Sequence, residues 1–357
     1  MCNTPAVIFF NPYADRQTKG ASRRIEFLSR LLERANIRHT TILAEEYRQA
    51  HKGVLEKLFL ACGLRRAAFF LHAHRLCSNR ANTVISEVIF TPTWLPNMVL
   101  TVHDLKTYDS RASRGGMVRR MAYLVFTRLA RQIVVVSESV RSDMMSLCGI
   151  QNSKIHVIPN GISQAHLELA ASFHGQSKRY DFIYVSSFVR HKRHAMLLRA
   201  APVGSRICLI GRDMGALAEI RAEAARRADD IDVEILEDVT TDARLFELLG
   251  QSRCGVFPSV FEGFGIPILE YGASGLHVIA SDIPPFRELG AYIDRFVKPD
   301  DEADLRAAMA AALDLEFSPP ATKAQAVSDG PYSESGIEKR LLGLLARFPG
   351  HKPDAPL

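Results

Sequence analysis

Short runs of Val, Ile, Phe and Leu recur along the chain, separated by longer stretches in which apolar residues return every three or four positions. The short runs read as buried strands and the longer stretches as amphipathic helices. Strands are predicted at 6–10, 39–43, 67–71, 87–90, 98–102, 132–136 and 155–158 in the first half. In the second half they are predicted at 181–186, 206–210, 232–236, 254–257, 277–280 and 295–298. The runs are apolar nearly throughout, so both sheet faces are expected to be covered by helices, as in parallel α/β sheets. After the first strand, Ile25, Leu28, Leu31 and Leu32 share one face of a predicted helix, and Arg23, Arg24, Arg30 and Arg34 are assigned to the rest. No G-x-G-x-x-G fingerprint follows that strand; a single glycine, Gly20, opens the helix.

The alternation breaks at 159–180, a polar stretch with glycines and a proline, and a domain boundary is placed there. The expected organisation is a Rossmann-like domain over 1–165, a second over 166–335, and a helix with a tail over 336–357, the last ten residues disordered. Two doubly wound domains of this kind bind ligands at the C-terminal ends of their strands, in the cleft between them.

Composition narrows the class. A chain of 357 residues, 47% hydrophobic, is long enough for two packed domains. No apolar run approaches the roughly 18 residues of a membrane span, and the N-terminus lacks the pattern of a signal peptide. Six cysteines at 2, 62, 77, 148, 208 and 254 show no metal-like spacing and read as free buried thiols of a reducing, cytoplasmic setting.

The net charge of +6 is uneven. Residues 1–165 hold 23 Lys and Arg against 11 Asp and Glu, or +12; the remaining 22 of 45 and 28 of 39 give −6. A basic front half points to an anionic partner, either nucleic acid or an anionic membrane surface, and a solvated arginine-rich face is the other reading. No zinc-finger or RNP-like pattern is present, which argues against nucleic acid. Residues 111–131 mix Met117, Met121, Leu124, Val125 and Leu129 with Arg111, Arg114, Arg119, Arg120, Arg128 and Arg131, so a membrane-resting helix and a buried helix with a solvated arginine face both fit.

The densest chemistry lies at 257–275, "FPSVFEGFGIPILEYGASG". If a strand ends near 258 and Pro267 begins a helix, the amides of Gly263, Phe264 and Gly265 point at a ligand and the helix dipole favours phosphate or sugar oxygens. Glu270, placed in the first helical turn, either accepts two hydrogen bonds from a ribose diol or complements the dipole. Glu262, placed at the strand end, either accepts from sugar hydroxyls or is a turn residue.

This segment, continued to "FREL", resembles the nucleotide-sugar signature of glycosyltransferase family 4, an E-x7-E pattern of retaining GT-B enzymes. Three further segments resemble the family in order: "VLTVHDL" at 99–105, "RQIVVVSESVRSDMMSLCGIQNSKIHVIPNGIS" at 131–163, and "YVSSFVRHKRHAMLLRA" at 184–200 with its H-K-x-H loop. The resemblance implies that Glu270 binds the ribose, that Glu262 with the Gly263–Gly265 amides holds the donor sugar, that Lys192 neutralises the diphosphate, and that His103 lies over the sugar. Gly20 would let the first loop approach the phosphates, and a C-terminal helix near 336–347 would cross back to the first domain. Ser186 and Ser187 stand where many members carry Gly-Arg, and Arg190 or Arg212 is the candidate for the second cation. The Gly-Gly pair common in the family's first loop is also missing.

The implied activity is retaining transfer of a hexose, mannose foremost, from a GDP- or UDP-sugar to a glycan or polyprenyl-diphosphate-linked acceptor, without cofactor or metal. Peripheral contact with the inner face of the cell membrane is expected. Another GT-B activity, such as a nucleotide-sugar epimerase or hydrolase, or a non-catalytic nucleotide-sugar-binding subunit, is the alternative.

Overall fold

A strand whose two neighbours run the same way must be reached by a crossover, and a helix is the usual one. The computed structural model describes residues 6–11, 19–43, 82–87, 97–105, 116–315 and 321–348, with isolated positions at 54, 55, 57, 71 and 74. Within them lie two six-stranded sheets in which every pairing is parallel. The described chain divides into two compact units, 1–160 with 335–357, and 161–334.

In the first unit the strands are β1 (Val7–Asn11), β2 (His39–Leu43), β3 (Thr83–Ser86), β4 (Met98–Val102), β5 (Gln132–Val135) and β6 (Ile155–Val157), ordered β2-β1-β3-β4-β5-β6. Its described helices are α1 (Lys19–Arg34), α2 (Gly116–Leu129) and α3 (Glu138–Cys148). The second unit holds β7 (Tyr180–Val185), β8 (Arg206–Ile210), β9 (Asp232–Leu236), β10 (Ser252–Phe257), β11 (His277–Ser281) and β12 (Arg295–Val297), ordered β12-β11-β10-β7-β8-β9. Its helices are α4 (Gln164–Ser172), α5 (His194–Ala200), α6 (Leu217–Arg226), α7 (Asp242–Gly250), α8 (Ile266–Ala273), α9 (Pro284–Glu288), α10 (Glu302–Leu313) and α11 (Ala321–Asp329). The order reverses between β7 and β10, so the loops after these two strands flank the crevice where such sheets take ligands.

Most strands fall within two residues of their predicted places. The run expected at 87–90 is an exception: the strand is Thr83–Ser86, and 88–90 lie outside the described residues, as do nearly all of the predicted strand 67–71, the cysteines at 2, 62 and 77, Arg111 and Arg114. For Met117 and Arg119 only the helical backbone is described. The polar stretch 159–180 contains α4, which was not expected. Ser163 caps it by accepting from the His166 amide at 3.2 Å.

One core of the first unit joins Val7, Phe9, Ile85, Val99 and Val134 to Ile25, Leu28, Leu31 and Leu32 of α1. The C-terminal helix α12 (Glu334–Leu345) closes it with Ile337, Leu341, Leu344 and Leu345. Phe348, assigned to a disordered tail, is 2% exposed in this core, under the Arg131 guanidinium at 5.2 Å; 349–357 lie outside the described residues. Arg24 also departs from its expected place. It precedes Leu28 by one turn, shares the buried face of α1, and is buried itself. Its Nη1 donates to the Pro159 carbonyl and to Asn160 Oδ1, both at 3.0 Å, and its Nη2 to the Ile158 carbonyl at 2.8 Å. Its Nε lies 3.5 Å from Oε2 of Glu87, the residue just past β3. Burial alone would raise the Glu87 carboxyl, but the Arg24 charge, His103 and the Thr101 hydroxyl together hold it below its ordinary 4.5.

In the second unit, α8 crosses β10 at Gly255, where a Cβ would lie 2.6 Å from Cγ of Tyr271. That approach lets the Tyr271 hydroxyl accept from the Val185 amide at 2.9 Å, at the end of β7.

Two predictions follow from this packing. Gly255→Ala overfills the contact and is expected to cost about 1–3 kcal/mol in chemical denaturation. Gly343→Ala, on an exposed turn of α12 with open space around its Cα, is expected to gain about 0.5–1 kcal/mol; equal effects would contradict both assignments. A carboxyl whose folded pKa is lowered stabilises above its unfolded pKa and loses that contribution as pH falls through the folded value. The stability gap between the natural chain and Glu87→Gln is therefore expected to be widest near neutrality and to shrink below pH 4.5. A gap that does not change with pH would show that Glu87 is not held ionised.

Candidate functional site

The loop after β7 turns through a short 3-10 segment, Arg190–Lys192, and ends at Arg193 with φ 59°. A non-glycine residue there needs outside support. The Arg193 guanidinium has it from Asp300, whose Oδ2 accepts from Nη2 at 2.7 Å. The loop after β10 is laced to this turn: the Val260 amide donates to the His191 carbonyl at 3.0 Å, and the Ser259 hydroxyl lies 3.3 Å from the same carbonyl. Under these bonds Lys192 Nζ pairs with Glu262 Oε1, and the two side chains are only 15% and 12% exposed. The ammonium also stands 5.4 Å from the centre of the Phe257 ring. A cation and a carboxylate are thus held together at the point where the strand order reverses.

Beyond Glu262 the chain enters α8. Gly265 precedes its first residue with φ 123°, and a Cβ there would lie 2.7 Å from Phe286 Cε1, so glycine is required on both counts. No side chain caps this helix end, and Pro267 sits in its first turn. The Phe264 side chain is buried edge-on to Tyr332, with ring centres 5.4 Å apart, so it offers a ligand its main chain alone.

Two sequence expectations are corrected here. Glu262 is not at the strand end but five residues past it, because β10 stops at Phe257. Glu270 is the fifth residue of α8, a turn beyond the helix start, and is 3% exposed because α8 lies with this face against the unit.

Arg190 and Arg212 are both exposed; the Arg190 guanidinium lies 3.5 Å from Glu219, and Arg212 contributes its carbonyl to the Phe188 amide at 2.8 Å. Gly20 is the second residue of α1, and residues 12–18 before that helix lie outside the described residues. His103 belongs to the first unit, directly after β4. Its Nε2 lies 2.9 Å from Oε2 of Glu87 and its side chain is 34% exposed.

Sequence reasoning missed two sets of residues. Arg24, Thr101 and Glu87 surround the inner edge of His103, with the Thr101 hydroxyl donating to Glu87 Oε1 at 3.0 Å; the only available signal was a lone acid ending an apolar run. His194, the second histidine of the H-K-x-H loop, is buried, stacks on Tyr184 at 4.4 Å and lies 3.0 Å from the Ser186 hydroxyl. Burial, with Lys192 and His191 nearby, pushes its imidazole down to about 3, so it is neutral near pH 7. A Cβ at Gly211 would collide with the Ser186 carbonyl, which explains the glycine opposite. Among the described residues no group of three His, Cys, Asp or Glu side chains is placed to hold a metal ion.

Comparison with known proteins agrees with this layout. Residues 18–166 match the family described as Glycosyltransferase Family 4, and residues 179–314 match Glycosyl transferases group 1. The O-antigen chain mannosyltransferase of Salmonella typhimurium is 27% identical over 60% of this chain and 60% of its own length. The GDP-mannose:cellobiosyl-diphosphopolyprenol alpha-mannosyltransferase of Komagataeibacter xylinus is 31% identical over 38% of this chain and 35% of its own. The Anabaena protein HepE, solved with UDP and glucose, superposes with a TM-score of 0.69 over 96% of this chain and 100% of its own, at 15% identity, which speaks for the fold alone. With one family match on each half, in sequence order, and two parallel six-stranded sheets beneath them, the chain belongs to glycosyltransferase family 4, the glycosyl transferases group 1, and has the GT-B fold.

Proposed function

We propose that the chain transfers a hexosyl group from a nucleoside-diphosphate sugar to a hydroxyl of a growing glycan or lipid-linked oligosaccharide, with retention at the anomeric carbon. The observation that carries the proposal is the Lys192–Glu262 pair beside the uncapped start of α8, at the reversal of strand order. Breaking the glycosidic C–O bond leaves its electron pair on the diphosphate. A fixed ammonium and a helix N-terminus stabilise that charge more in the transition state than in the bound donor. The acceptor hydroxyl adds to the anomeric carbon as its proton passes to the departing phosphate oxygen. On binding, the diphosphate takes Lys192 from Glu262, and the freed carboxylate accepts from sugar hydroxyls. Glu270 is assigned to the ribose, which requires its burial to ease when donor enters. Lys192 and the helix end supply the positive charge, so transfer is expected to survive chelation by EDTA. Mannose is favoured as the sugar because two of the relatives above are named as mannosyltransferases, one using GDP-mannose.

For the acceptor side, the observation is on α2. Met121, Val125 and Leu129 recur every four residues and are 53%, 48% and 57% exposed, beside Arg120 and Arg128. An apolar line flanked by guanidinium groups suits an anionic lipid surface. No described helix is long and apolar enough to cross a membrane, so the contact would be peripheral.

A thermal-shift screen of GDP-, UDP- and ADP-sugars tests the donor half, since a ligand at a hundred times its Kd adds about 2.7 kcal/mol. Lys192→Ala and Glu270→Ala are each expected to weaken the best donor about 10- to 100-fold; undiminished affinity in both would overturn the site. Flotation with anionic vesicles tests the acceptor side. Binding is expected to fall with added salt and on replacing Met121, Val125 and Leu129 together by Ser, and a chain that never floats has no such surface.

A further inference from the structure

The groups around His103 form a set that the donor site does not use. β3 and β4 pair in register, Ile85 beside Val99 and Ser86 beside Leu100, so Glu87 follows next to Thr101 on the face covered by α1. Three donors converge there on one carboxylate. The Thr101 hydroxyl occupies Oε1 at 3.0 Å. At Oε2, Arg24 Nε stands off at 3.5 Å while His103 Nε2 approaches to 2.9 Å, an ion-pair contact that lies off the line of the ring N–H. Arg24 is held back because both of its Nη atoms are spent on Ile158, Pro159 and Asn160. It therefore acts on Glu87 by charge, keeping it ionised, and leaves Oε2 for the histidine. Glu87 and Arg24 side chains are 0% and 2% exposed, and Nε2 of His103 is buried with them, so water does not compete for the contact. Aliphatic groups at 24 and 87 would fill the same space, so the retention of two charges asks for a reason beyond packing.

We propose that Glu87, kept ionised by Arg24, is a positioning residue that fixes the orientation and tautomer of the His103 ring. With Nε2 held against the Glu87 carboxylate, the proton is favoured on that nitrogen and Nδ1 is the ring nitrogen left for a ligand, an acceptor in the neutral ring. It is thus set to receive a hydrogen bond from a hydroxyl, the group a donor sugar carries. The last step rests on the function proposed above; the fixing of the ring does not.

The two parts are tested separately. A ring N–H buried against a carboxylate exchanges slowly and gives a downfield proton resonance. That resonance is expected in the natural chain and is expected to vanish in His103→Gln and in the double variant Arg24→Met with Glu87→Met. The double variant removes both charges together and leaves no lone buried ion, so its fold, checked by melting, is expected to survive. No such resonance in the natural chain, or one that persists in the folded double variant, would overturn the fixing of the ring. For the reaction, the double variant is expected to lower kcat at least about tenfold, the scale of partners that orient a functional histidine, with nucleoside-diphosphate affinity unchanged. In a His103→Ala background the same pair of changes is expected to cost nothing more. Additive losses would leave Glu87 with a merely structural part. If the natural chain transfers no sugar, the function proposed above fails, and the ring resonance still decides whether Glu87 fixes His103.

Discussion

A sheet with every strand parallel can place its chemistry at only one edge. Each crossover helix returns the chain to the opposite edge, so the loops at the C-terminal ends of the strands are the ones freed from packing duty. Both sheets of this protein obey that constraint, and each reversal or neighbouring strand end carries charge: Glu87 after β3, His103 after β4, Lys192 after β7, Glu262 after β10. Most strands are apolar because helices cover both faces, and the charged groups lie in the segments just past their C-terminal ends.

In each unit a carboxylate is paired with a cation, to different effect. Arg24 and Glu87 are fully buried, and their ties to Thr101 and to the carbonyls of 158–160 make them part of the frame. Lys192 and Glu262 keep a little exposure and lie in loops, one of them turning through a left-handed arginine. A pair of the first kind holds something still, whereas a pair of the second kind is the one that, under the proposed function, an incoming diphosphate would exchange. The close packing of Gly255 on Tyr271 beneath the second pair gives those loops a rigid base.

What could be read from residues alone follows the range of the forces involved. Strands such as Met98–Val102 and Arg206–Ile210 were placed to the residue, because near-continuous apolar runs depend only on local burial. The glycines and proline around Glu262 were legible for the same reason, being demands of a local turn. Helix α4 was hidden by polar composition, although Ser163 carried its capping signal. Arg24 was assigned to the solvent because its charge was weighed above its one-turn spacing from Leu28, and its partner Glu87 is distant in sequence. The depth of Glu270 depended on where α8 begins, which the Gly265 backbone sets.

The most direct test of the exchange at Lys192 is the affinity of a free nucleoside diphosphate, by titration calorimetry, for the natural chain and for Glu262→Gln. If Glu262 holds Lys192 until the diphosphate takes it, removing the carboxylate's charge removes a competitor. The variant should then bind the nucleoside diphosphate more tightly while losing sugar transfer. Weaker binding by the variant, with transfer intact, would contradict the exchange and the donor site built on it.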